Sequence, residues 1–254
     1  MLALYGKVSA ETARRVLESW PAILALPAYP LIFYAAFLLT GSAGILGSLL
    51  LSFVIAACWS SYLELISQAV TSARFRLDWN EFRRTFASHF WDVVSVMFVF
   101  WMIELVVQPL TMGPRGPALS AIIGFTIAFF FNAVPELLYQ GSSRSFALLL
   151  DSGRFVSEHP VAWLLPNVLL AALLFWITGG LDVSHPAQLL IAFGNTFSSP
   201  LGVIGVLLSL PLWALPLVLI AAHTAMIFRG VLFRELSSGA GNARLRAFQG
   251  RTRG

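Results

Sequence analysis

VSHPAQLLIAFGNTFSSPLGVIGVLLSLPLWALPLVLIAAHTAMIF, residues 183–228, contains no Lys, Arg, Asp or Glu. A helix crosses about 30 Å of hydrocarbon with roughly 20 apolar residues. The stretch is too long for one crossing, and Gly-Asn-Thr-Phe-Ser-Ser-Pro at 194–200 interrupts it. Residues 201–228 therefore read as one span, kinked at Pro211 and Pro216. Residues 186–197 are left as an interfacial or re-entrant piece.

The same reading extends outward to the whole chain. Its 254 residues are 58% hydrophobic and only 11% charged, about half the charge of a soluble domain, with a mean hydropathy of +0.80. A soluble fold cannot hide that much apolar surface. Disorder does not suit such a composition, and a single thiol, Cys58, cannot build a disulfide scaffold. Five more spans fall at 21–40, 44–66, 92–111, 117–139 and 161–178. The expected fold is an all-α polytopic bundle of six transmembrane helices over residues 1–236. A Gly- and Arg-rich tail, 237–254, is expected to be disordered.

Positive charge sets the orientation. With the amino terminus in the cytoplasm, that side collects Lys7 and every arginine except Arg115. This is a strong positive-inside bias, and a seventh span would send the C-terminal arginines to the wrong side. The chain is thus expected to be a multi-pass protein of the bacterial inner membrane with both termini cytoplasmic.

The cytoplasmic segments resemble one another. Arg15-Val-Leu-Glu-Ser19-Trp20 precedes the first span, Arg84-Thr-Phe-Ala-Ser88-His-Phe-Trp91 the third, and Arg154-Phe-Val-Ser157-Glu-His-Pro-Val-Ala-Trp163 the fifth. The even spans end alike, in Glu64-Leu-Ile-Ser-Gln68 and Glu136-Leu-Leu-Tyr-Gln140. A period of roughly 70 residues implies three hairpins, each led by an amphipathic surface helix. In the first helix Ala13, Val16, Leu17 and Trp20 form the apolar stripe expected to lie along the membrane. Trp79, Phe82, Phe86 and Phe90 do so in the second, and Phe146, Leu149, Leu150 and Gly153 in the third. Arg15, Trp20, Arg84, Trp91, Gly153, Arg154 and Trp163 are accordingly candidate interfacial anchors, or docking points for a soluble partner.

Ionisable and polar groups at membrane depth are candidates for function. Glu64, Asn132, Glu136 and His223 share the inner leaflet by depth with Asp92, and Glu104 lies deep in the third span. Pro135 deprives the carbonyl of residue 131 of its helical donor. These groups either line a substrate or proton pathway or pair with Arg74, Arg144 or Arg229 near the interface. No phosphate loop, zinc helix or nucleophile elbow occurs, so no enzyme, metal or cofactor is expected. Gly41, Gly44 and Gly47 share a face at the start of the second span and permit close helix contact, taken here as packing within the chain. The arginines of the tail favour anionic lipid over nucleic acid as partner.

The run Gly141-Ser-Ser-Arg-Ser-Phe-Ala-Leu-Leu-Leu-Asp-Ser152-Gly-Arg-Phe-Val156, set between an even span and a Trp-headed odd one, is similar to a group of bacterial six-span proteins. The group includes the membrane domain attached to some glycerophosphodiester phosphodiesterases. No phosphodiesterase domain follows here, so no activity is implied. A weaker resemblance is to the cytoplasmic loop of ABC-importer permeases, with Gly153, Trp163, Leu165 and Pro166 in the Gly, Ile, Leu and Pro places. Ala147-Leu148-Leu149 replaces the Glu-Ala-Ala element of that loop. The first resemblance implies a non-enzymatic protein of membrane or lipid homeostasis, or a membrane partner of another protein. The second implies a transporter subunit docking a cytoplasmic ATPase.

Overall fold

The computed structural model describes residues 2–72, 75, 88–113, 116–141, 146–177 and 214–251. Among them there are ten helices and no strand. In chain order they are α1 (Leu2–Glu18), α2 (Trp20–Ile23), α3 (Ala28–Thr40), α4 (Gly44–Thr71), α5 (Phe90–Leu110), α6 (Gly116–Phe130), α7 (Val134–Gln140), α8 (Phe146–Glu158), α9 (Pro160–Ile177) and α10 (Ala214–Arg251). Five segments are long and apolar enough to cross a membrane: Trp20–Thr40, Gly44–Thr71, Phe90–Leu110, Ala118–Gln140 and Pro216–Ser238. The chain is a multi-pass membrane protein. Pro160–Leu169 in α9 is a shorter apolar helix. Pro211, Arg84, residues 79–87 and the piece at 186–197 lie outside the described residues.

Proline shapes two of the spans. Pro27 has no N–H to give, so the chain tightens between α2 and α3. Leu24, Ala25, Leu26 and Ala28 each donate to the carbonyl three residues back, at 3.1–3.2 Å. Pro135 breaks the fourth crossing into α6 and α7 in the same way. The Phe131 carbonyl it cannot serve takes the Val134 N–H at 3.2 Å instead. Ser152 Oγ of α8 donates to the Phe130 carbonyl at 2.8 Å, completing the end of α6.

Burial is concentrated at the end of the bundle that carries the charges. Leu63 and Ile66 of α4, Leu137 of α7, Leu148 and Val156 of α8, Trp163 of α9, and Ile227, Val231 and Leu232 of α10 form one core there, with Val8 of α1. At the opposite end Leu38, Leu39, Ile45, Leu46, Leu110 and Met112 are exposed. Lipid tails are as apolar as these side chains, so that exposure carries no penalty in a bilayer. The α3–α4 hairpin is tight: a Cβ on Gly47 would stand 2.0 Å from the Thr40 carbonyl oxygen, so only glycine fits.

One expectation needs correction. The α1 face turned to the protein is Val8, Thr12 and Arg15, continued by Ser19, and Ala13 and Leu17 are exposed on the other side. The chain bends at Ser19 (φ −101°, ψ 14°), so Trp20 starts a new helix and does not extend the stripe. Arg15 can be buried because Glu11 pairs with it across one turn. Helix α10 extends as far as Arg251.

Candidate functional site

Arg229, the first cation after the long charge-free stretch, points from α10 into the core. Its Nε donates to Glu136 Oε1 at 2.7 Å and its Nη2 to Oε2 at 2.9 Å, a two-point pairing of guanidinium and carboxylate. The same Nη2 donates to the Asn132 carbonyl in the break between α6 and α7. Glu136 is fully buried. Trp163, also fully buried, lies with its ring 5.3 Å from the guanidinium carbon and donates through Nε1 to Asn132 Oδ1 at 3.1 Å. Asn167, one turn later, donates to the Trp163 carbonyl at 2.6 Å. A paired and hydrogen-bonded charge is the form in which ions survive burial.

Beside this centre α10 passes close to α7. Gln140 Nε2 donates to the Gly230 carbonyl at 3.0 Å. A Cβ at Gly230 would come within 2.5 Å of Tyr139 Oη and 2.7 Å of Val70 Cγ2. Tyr139 Oη is itself buried without a hydrogen-bond partner.

A second polar group secures the end of α4, whose last carbonyls have no helical donors of their own. Arg15 Nη1 donates to the Ala69 carbonyl at 2.8 Å and to that of Ser72 at 3.4 Å. Arg234 Nη1 donates to the Val70 carbonyl at 2.8 Å. Both arginines share Glu11 Oε1, at 2.8 and 2.6 Å, and Lys7 reaches Glu235 at 2.7 Å. Cations at a helix C-terminus also complement its dipole. Burial raises the Glu11 pKa, but the hydrogen bonds from Arg234 and Arg15 outweigh it and hold the carboxyl below its ordinary 4.5. A depressed carboxyl contributes stability above its unfolded pKa and loses it as pH falls through the folded one. The stability difference between the wild type and Glu11→Gln should therefore be full at pH 7 and shrink once pH drops below 4.5. Thermal unfolding in mild detergent across that range measures it, and a difference that does not change with pH would refute the assignment.

The remaining sequence candidates are dispersed. Glu64 accepts from Ser88 Oγ at 2.9 Å and Gln68 Nε2 at 3.1 Å and faces His89 Nε2 at 3.4 Å. His223 Nε2 meets Ser19 Oγ at 3.1 Å, while its Nδ1 is buried with no partner. Glu104 is exposed on α5, apart from all of these. Of the aromatic anchors, Trp20 is 58% and Trp91 72% exposed, but Trp163 is 0% exposed. Arg154 is exposed and pairs with Asp151 at 3.6 Å. Gly153 lines an apolar groove of about 240 Å³ with Thr126, Phe130, Leu149 and Leu150. Arg234 and Glu11 carry no sequence signal of their pairing. They meet across 223 residues, and no local pattern announces such a pair.

No protein-family model, curated protein or solved structure matches the chain.

Proposed function

We propose that this chain is a non-enzymatic integral protein of the bacterial inner membrane, with six spans in three related hairpins and both termini in the cytoplasm. Its work is organisational: membrane or lipid homeostasis, or holding another protein at the membrane. The observation that carries this reading is the closed pairing of Glu136, Arg229, Asn132 and Trp163. These groups at membrane depth are committed to one another, as in a structural keystone, and are not arrayed along an open route. The corner residues Ser19, His89 and His159, evenly spaced in the chain and each just before a Trp-headed crossing, support the threefold plan. The exposed Trp20, Trp91 and Arg154 suit contact with headgroups at the cytoplasmic surface.

A transporter or permease subunit is the second reading, favoured by the unpartnered Tyr139 Oη and His223 Nδ1. Buried polar atoms of that kind are places where a proton or small polar substrate finds a bond. Mass spectrometry of the protein extracted gently from its own membrane separates the two. Phospholipid retained at fixed ratio, without an ATP-hydrolysing subunit, is the expected result. A nucleotide-binding subunit in fixed stoichiometry would overturn the organisational reading.

A further inference from the structure

Trp101, Glu104, Leu105 and Gln108 are spaced i, i+3, i+4 and i+7 along α5, which places them on one face of the helix, and all four are exposed. Glu104 is roughly 20 Å along the helix from Phe90 and roughly 9 Å short of Leu110, at 1.5 Å per residue. Its short stem reaches neither headgroup layer. Neither Glu104 nor Gln108 makes a side-chain hydrogen bond or ion pair among the described residues. Arg229, Arg15, Arg234 and Lys7 are committed elsewhere: Arg229 to Glu136, Arg15 and Arg234 to Glu11, Lys7 to Glu235. Pro109 adds a third polar group, since it has no N–H to offer the Leu105 carbonyl. Polar side chains at this depth nearly always face protein, because hydrocarbon gives them no partner.

We propose that this face of α5 is the contact between two copies of the chain, related by a twofold axis along the membrane normal. Such an axis preserves depth, so Glu104 meets Glu104 and Gln108 meets Gln108 of the second copy. Both chemistries are self-complementary. A carboxamide donates and accepts at once, and two carboxyls bond through a shared proton. A second copy thus satisfies both positions without any cation, which the described part of the chain does not supply at this depth. Trp101 and Leu105 pack around the polar pair and exclude lipid from it.

The test uses the full chain, donor- or acceptor-labelled, in vesicles of phosphatidylethanolamine and phosphatidylglycerol, with energy transfer followed as the protein is diluted in lipid. Wild type is expected to self-associate. Glu104→Leu should weaken association roughly 5- to 30-fold, and Gln108→Leu should weaken it less. Glu104→Gln, which keeps the hydrogen bonds and drops the charge, should stay near wild type. Transfer at the random level at every dilution, or Glu104→Leu associating as wild type, would overturn the proposal. Glu104→Gln failing as Glu104→Leu does would overturn it too, because the contact would then need a charge and a cationic partner helix. If Glu104→Leu does not fold, Trp101→Cys in a Cys58→Ser background decides: oxidation in native membranes yields a cross-linked dimer, or the proposal is wrong.

Discussion

Glu136→Leu is expected to lower the stability of the bundle by about 3–5 kcal/mol, because it leaves Arg229 charged in the core with nothing to neutralise it. Arg229→Met should cost a similar amount for the mirror reason, a fully buried carboxylate without its cation. The double variant Glu136→Leu with Arg229→Met should recover most of the loss. Removing both charges also removes both desolvation penalties, and apolar side chains of similar volume suit the surrounding Leu137, Val70 and Ile227. Unfolding in a denaturing detergent, with the three variants and wild type in parallel, gives the coupling directly. Losses that simply add in the double variant would show that the pair is not the linkage described here. A double variant that folds normally yet loses its cellular role would point instead to the transporter reading.

Trp163→Ala is expected to cost about 3–5 kcal/mol, the range for deleting a large aromatic from a closed core. The ring packs edge-on against Phe155 at 5.2 Å and against Phe233 at 6.1 Å as well as lying by Arg229. Trp163→Phe should cost less, about 1–3 kcal/mol. It keeps a ring beside the guanidinium but leaves Asn132 Oδ1 without a donor. Trp20→Ala and Trp91→Ala, at the exposed tryptophans of the same sequence motif, should stay within about 0.5 kcal/mol. The same detergent unfolding measures all four, and equal losses at 20, 91 and 163 would contradict the burial pattern.

That contrast marks the boundary between what one helix's residues determine and what a neighbouring helix decides. Hydropathy places the crossings because each span must be apolar by itself, whatever surrounds it. The ends of α5 at Phe90 and Leu110 fall within two residues of the 92–111 read from sequence. Depth likewise singles out Asn132, Glu136 and His223, since depth is a matter of position along one helix. Azimuth is different. Which way Glu136 faces is decided by α10, on the far side of a long stretch of chain, and the sequence offers Arg74, Arg144 and Arg229 as equivalent choices. Similar motifs also hide unlike environments: Trp20, Trp91 and Trp163 share a pattern, yet only the last is enclosed by a neighbouring helix. The clamp of Glu11, Arg15 and Arg234 on the end of α4 escapes sequence reading altogether, because its acceptors are main-chain carbonyls that every residue possesses.

The pairing of Glu136 with Arg229 also imposes a timetable on biogenesis. The two residues are 93 positions apart, so at about 5–20 residues per second the ribosome needs roughly 5–20 s to deliver the second after the first. For that interval a carboxyl sits in the newly inserted fourth crossing with its mate unmade, and Glu11 waits longer still for Arg234. A chain cut short between Glu136 and the start of α10 retains both acids and lacks both arginines. It is left with a carboxylate at membrane depth that nothing neutralises, so the core closes only once α10 has been made.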